Sequence, residues 1–237
     1  MRIRCHCLKE FVIHSLFGLK AMESDVPYNH DGRNWKNVFD RDFYQNEDFS
    51  GISLADEIIE KIRFADCNFS GADLSDTRIT GCRFEKCRFS GAKLNGAEIQ
   101  KSAFLTCDFR LARLFSTVFE QCKMTGSSFF DADCSCFEIR GGDWSYTVLR
   151  ELEMYKMTLE QVNLEGADLT GCKLEKSRFR QCCFDRAWMT GASLEGSDIR
   201  DSSIDGVDIL GMSLKNTKID LNQAVALAAA LGAVYEP

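Results

Sequence analysis

The chain has 237 residues, 45% of them hydrophobic and 27% charged, with a formal net charge of −7. That balance is ordinary for one globular domain and excludes a collagen-like, disordered or strongly basic chain. No apolar run approaches the roughly 18 residues that a membrane-spanning helix needs.

Residues 1–38 carry six bases against four acids, hold all three histidines and show no regular apolar period. A flexible N-terminal extension is the expectation. Three alternatives stay open. Phe11 to Leu19 after a charged start reads as a short signal-like stretch interrupted by His14. Cys5, His6 and Cys7 with His14 read as part of a metal site, although no further Cys or His pair completes four ligands. Translation from Met22 would remove much of the segment.

A different rule begins at Phe39. From there to Ile219 a large apolar residue falls at every fifth position without a slip, and of these 37 positions only Cys134 is not large. Five is neither the helical period of about 3.6 nor the strand period of about two. Two residues before each large side chain sits a second, mostly small class, as at Cys67, Ala72, Thr77 and Cys82. A twenty-residue repeat lies within the five: Phe49, Phe69, Phe89, Phe109 and Phe129 share one phase, Leu54, Leu74, Leu94 and Leu114 the next. Ile59, Ile79 and Ile99 hold the third, and Phe64, Phe84 and Phe104 the fourth. Like side chains stack in a solenoid, so the nested periods predict four pentapeptides per coil and four walls.

Backbone chemistry agrees. Stacked coils need their N–H groups, and the two prolines, Pro27 and Pro237, lie outside the repeat. Thirteen of the 17 glycines fall two residues after the large residue, where the chain must turn a corner. Seven of the twelve cysteines, Cys67, Cys82, Cys87, Cys107, Cys122, Cys172 and Cys182, take the small inward position. They read as core filler in a chain kept in a reducing cytoplasm, in preference to disulfides or metal ligands.

Residues 220–237 change period again. Asp220 and Gln223 form a capping-box pattern, alanines and leucines follow, and Gly232 marks a stop. Leu221, Ala224, Val225, Ala228 and Leu231, with Leu227 beside them, make one apolar surface. A solenoid needs such a cap over its last coil. So apolar a segment is also expected to pair with its twin in a homodimer.

The units "GADLS" at 71–75, "GADLT" at 166–170 and "GASLE" at 191–195 resemble the consensus of pentapeptide repeat proteins. The resemblance implies an all-β solenoid, a right-handed quadrilateral β-helix over 39–219, closed by a short C-terminal α-helix. "IDLNQAVALAAALGAVY" and the preceding "DIRDSSIDGVDILGMSLKN" resemble the C-terminal segment of the Qnr-type and Mfp-type proteins. That resemblance implies a two-fold dimer of rods that mimics DNA, binds DNA gyrase and often topoisomerase IV, and protects the enzyme from quinolones. Plasmid-type Qnr rods carry two loop insertions; the register here has none from 39 to 219, as in the Mfp type.

Catalysis has little to stand on. The repeat holds no histidine, its serines and carboxylates recur as repeat positions, and no nucleophilic triad or phosphate loop appears. No catalytic residue, cofactor or metal site is expected. Charge sorted by wall is more informative. From 131 to 219, the walls built on Trp144, Leu164, Phe184, Ile204 and on Leu149, Leu169, Met189, Ile209 hold eight acids. These are Asp131, Asp143, Glu151, Glu165, Asp168, Asp185, Asp205 and Asp208, opposed by Arg150 and Arg186, whereas the other two walls hold eight acids and nine bases. The eight are the candidate partner-binding patch. Direct nucleic-acid binding is disfavoured, since an acidic surface repels phosphate. The alternative function is a non-enzymatic scaffold solenoid for another protein, with the consensus Asp serving only coil-to-coil hydrogen bonds.

Overall fold

The computed structural model describes residues 39–209, 211–234 and 236. The expectations for residues 1–38, including Cys5, His6, Cys7 and the start at Met22, lie outside the described residues.

From Phe43 onward wall residues, inward and outward, pair in parallel with the residue twenty ahead: Phe43↔Arg63, Ile59↔Ile79, Phe119↔Ile139, Leu159↔Phe179 and, last, Asp198↔Lys218. The displacement is the same in all these pairs, so the chain is a four-walled β-solenoid of parallel coils. Two adjacent walls are short strands such as Ile58–Glu60 and Arg63–Ala65. The other two are single bridges such as Asn68↔Arg88 and Asp73↔Lys93. At the corner between the stranded walls, Val118–Lys123 and Glu138–Asp143 run through as six-residue strands.

The five-residue period follows from this geometry, because each wall points one large side chain inward and the corner before it admits only a short one. Along Phe49, Phe69, Phe89, Phe109 and Phe129 successive ring centroids stand 5.0, 5.0, 4.9 and 4.9 Å apart with nearly parallel planes. This spacing is close to the roughly 4.8 Å between neighbouring strands, so the rings and the backbone ladder share one repeat. The short inward side chains add a bond of their own. Thr77 Oγ1 donates to Leu54 O at 2.8 Å and Ser127 Oγ to Phe104 O at 2.9 Å. Cys122 Sγ makes the same contact to Ile99 O at 3.3 Å. The seven inward cysteines are buried and free. Burial pushes the Cys122 thiol up to about 11 and that of Cys134 to about 12, which keeps both protonated.

Two departures from the pattern compensate each other in volume. Cys134 occupies a large position, and Phe137 three residues later fills the next small one; both are buried. Conversely Gly142 precedes Trp144, the largest wholly buried side chain. A Cβ at Gly142 would run into the Cys122 carbonyl, and its φ of +103° is one that side chains rarely adopt. Corners elsewhere take positive φ with glycine or without it, as at Tyr146 with φ 56° and Gly166 with φ 61°. Glycine has a second purpose there: the Tyr146 ring lies across Gly166, where a Cβ would stand 2.5 Å from its Cε1.

The helix Leu221–Ala230 opens with the expected capping box: the Asp220 side chain accepts from Gln223 N, and Asp220 N donates to Gln223 Oε1, each at 3.0 Å. It closes at Gly232, whose N–H donates to Ala229 O while Ala233 N donates to Ala228 O, both at 2.9 Å. Gln223 is buried and donates through Nε2 to Ile199 O at 2.5 Å and Ser202 O at 2.7 Å, satisfying carbonyls of the final coils. One turn on, Leu227 enters the end of the core among Phe184, Leu194, Ile199 and Val207.

Candidate functional site

The twenty-residue register sorts the eight acids into columns. Glu165, Asp185 and Asp205 follow one another coil by coil, about 4.8 Å apart. On the adjoining wall Asp168 and Asp208 pair from below and above with Trp188. Asp131 and Glu151 occupy successive positions at the far corner of that wall, with φ of 56° and 60°. Asp143 ends the strand Glu138–Asp143, one coil before Asn163. The structure thus joins Glu165, Asp168, Asp185, Asp205 and Asp208 into one region, with Asp143 and the Asp131–Glu151 pair toward the middle of the solenoid.

Three of the eight are engaged by cations of the same chain. Arg150 Nε lies 3.1 Å from Asp168 Oδ2, Lys123 Nζ lies 3.4 Å from Asp143 Oδ2, and Arg186 pairs with Glu165. Lys123 stands one coil below Asp143 and so falls outside a count that begins at residue 131; the register itself would have located it. Asp168 and Asp143 also accept the N–H two residues ahead, Thr170 N and Ser145 N, each at 3.1 Å. Burial pushes the Asp143 carboxyl up, but hydrogen bonds from Ser145 and Thr125 and the approach of Lys123 outweigh it and hold the group below the usual carboxylate range. These two acids therefore serve the coil.

The remainder face outward differently. Among the described residues no cation lies within ion-pair distance of Asp131, Glu151, Asp185 or Asp205. Asp185 is half-buried and accepts from Ser203 Oγ and from Asp205 N, the latter at 2.9 Å. Asp131, Glu151, Asp205 and Asp208 are exposed, with Asp208 accepting from Thr190 Oγ1 at 2.9 Å. Of the eight acids on the opposite walls four are paired among the described residues: Glu138 with Arg140 at 2.5 Å, Glu153 with Lys173 at 2.6 Å, Asp198 with Arg200 at 2.8 Å and Arg180 at 3.2 Å, and Asp201 with Arg180 at 3.5 Å. Hydrogen bonds from Arg200 hold the Asp198 carboxyl far below its usual range.

At the C-terminal end, Leu221, Val225 and Leu231 are exposed, while Ala224 and Ala228 are half-buried. Leu227 is committed to the cap, which corrects its assignment to the outer apolar surface: the side chain one turn after Gln223 necessarily follows it into the core. The charge count also passed over Trp188 and Tyr146, large aromatic side chains exposed beside the acids. Their signal was present, since both stand at outward positions of a register that was already known. Among the described residues no group of three or more His, Cys, Asp or Glu is arranged to hold a metal ion. None of the described helices is long and apolar enough to cross a membrane.

Two inward classes, a constant displacement of twenty and four walls define a pentapeptide-repeat β-solenoid. The family model for pentapeptide repeats matches residues 59–104 and 156–186, in eight copies. Over those residues the chain carries pentapeptide repeats. Within that class it is similar to two trypsin-treated forms of QnrB1, described as a plasmid-mediated fluoroquinolone resistance protein. Identity is 26% in both; 82% of this chain is covered, with 99% and 97% of the QnrB1 chains and TM-scores of 0.59 and 0.60. HetL from the cyanobacterium Nostoc, at 17% identity over 74% of this chain and 84% of HetL, shares the fold with a TM-score of 0.51. No curated protein matches by sequence.

Proposed function

We propose that this chain is a non-enzymatic interaction protein that imitates DNA, binds the type II topoisomerase DNA gyrase, and protects or modulates it against quinolones or similar topoisomerase poisons. The observation that carries the reading is the similarity to QnrB1 across 82% of the chain. The charge distribution supports it: Glu165, Asp185 and Asp205 line up at about 4.8 Å, and duplex DNA presents its charges at about 3.4 Å per strand. A saddle built for phosphates meets in these walls a ladder of carboxylates at comparable pitch. Leu221, Val225 and Leu231, left exposed by the cap, pair two copies of the chain and bring their acidic ends together. The protein works in the cytoplasm, where its partner is.

Competition tests the reading. Purified gyrase is titrated with the full chain, free or preloaded with duplex DNA. DNA-sensitive binding is expected. Binding that DNA leaves unchanged would remove the mimicry, and a chain that gyrase ignores would leave a scaffold for another protein.

A further inference from the structure

Two exposed aromatic rings on this solenoid, Phe43 and Tyr155, are accompanied by a cation from the same chain. The Arg63 guanidinium lies 5.3 Å from the Phe43 ring centroid, and Lys173 Nζ lies 5.9 Å from that of Tyr155. Trp188, like Phe115, Phe130 and Tyr146, has none among the described residues, and of these four it is the most exposed. It is 59% exposed, yet no cation and no second ring of the described residues stacks on it. Its surroundings are acidic: Asp168 and Asp208 pair with it from the neighbouring coils, and Asp185 precedes it by three residues in its own coil. The nearby arginines are engaged, Arg186 by Glu165 and Arg150 by Asp168.

An indole face is the best aromatic acceptor of a cation, and adjacent carboxylates raise the local preference for positive charge. Folding offers no reason for the residue, because an outward side chain this exposed buries little area. Elsewhere in the same column stand Asn68, Arg88, Asp108, Ser128, Asp168 and Asp208, all polar, with Val148 the one other apolar residue. Tryptophan among acids is, by contrast, the composition of an interaction hot spot for a basic surface. Arginine fits better than lysine, since its planar guanidinium stacks on the ring while its N–H fork reaches carboxylates at the edge.

We infer that Trp188, with Asp185 and Asp208 beside it, is a docking site for an arginine side chain of a protein partner. The inference rests on the reading that these walls meet a basic protein surface, and it makes that contact one of stacking as well as charge.

The full chain and its Trp188→Ala and Trp188→Phe variants would be titrated against two probes, purified gyrase and hexa-arginine, with hexa-lysine as comparator. For both probes Trp188→Ala should bind about tenfold more weakly and Trp188→Phe within about threefold of the parent, with unchanged melting temperature. Hexa-arginine should bind more tightly than hexa-lysine. If gyrase fails to bind the parent while hexa-arginine still depends on Trp188, the topoisomerase reading falls and the arginine site stands. If Trp188→Ala binds hexa-arginine as the parent does, or if hexa-lysine binds equally well, charge alone is responsible and the inference is overturned, whatever gyrase does.

Discussion

Between Phe49 and Phe129 one wall stacks five phenylalanines at 4.9 to 5.0 Å, whereas its continuation holds Leu149, Leu169, Met189 and Ile209. Both halves keep the same twenty-residue pairing and the same buried positions. Their exteriors diverge as well: residues 39–130 carry 14 acids and 12 bases, residues 131–219 carry 16 and 11, with the imbalance gathered on two walls. Coil formation therefore asks for a large apolar side chain every fifth residue and a short one two residues before it, and tolerates rings or aliphatics at the large position. Outward positions are nearly independent of it, so a one-sided charge distribution costs the fold little.

The largest expected effects probe the interior. Phe89→Ala removes a ring held between neighbours at 5.0 and 4.9 Å and should cost about 3 to 5 kcal/mol, measured by denaturant unfolding. Leu169→Ala, the equivalent truncation in the aliphatic half, should fall nearer the lower end of about 2 to 5 kcal/mol. Equal costs would mean that ring stacking adds nothing to burial.

The second probe separates cap from pairing surface. Val225→Asp with Leu231→Asp places charges where a twin would bury them, at several kcal/mol each, so the double variant should sediment as a monomer with its fold retained. Leu227→Asp should instead lower the melting temperature of the chain itself, because that side chain lies inside the last coil. A parent chain that is monomeric at micromolar concentration would remove the pairing surface.

A third experiment sharpens the contrast between walls. Asp131→Asn, Glu151→Gln, Asp205→Asn and Asp208→Asn together change exposed acids of the patch and spare Asp143 and Asp168, which hold coils together. Association with gyrase should slow about tenfold at low salt, with a smaller difference at high salt. The control replaces Glu138, Glu153, Glu160 and Glu195 on the other walls with Gln, altering net charge equally. Identical losses from the two sets would show that location is irrelevant.

The smallest effect concerns acid. The Asp198 carboxyl, held by Arg200, titrates far below its ordinary 3.8 in the folded chain, so the unfolded state binds more protons on acidification. Its contribution is complete above that ordinary value and is lost as pH falls toward the folded one. Asp198→Asn should cost about 1 kcal/mol at neutral pH and flatten the acid limb of a stability-against-pH curve. An unchanged limb would mean that the ion pair with Arg200 contributes nothing.

Much of this architecture was legible because its periods are exact multiples of one another: residue number alone assigns wall, coil and direction. What sequence could not supply was how side chains reach along the column. That Asp168 answers to Arg150 depends on side-chain reach between coils, which a sum over letters does not contain. Cys134 is the one short side chain at a large position, and Phe137 at the adjacent small position makes up the volume, a pairing that only packing reveals. Likewise Gln223 was readable as a cap residue from its spacing to Asp220, but its burial against the Ile199 and Ser202 carbonyls requires knowing where the last coil ends.

The unvarying displacement of twenty residues makes chain length an angular coordinate. Loss of five residues would leave every inward position filled and every ladder bond available, yet everything downstream would be turned a quarter revolution relative to everything upstream. Loss of twenty would restore the bearing and shorten the stack by one step of about 4.8 Å. A lineage of such chains can thus re-aim one end against the other by whole repeats without touching the core, and the azimuth between the aromatic half and the acidic walls is set by counting.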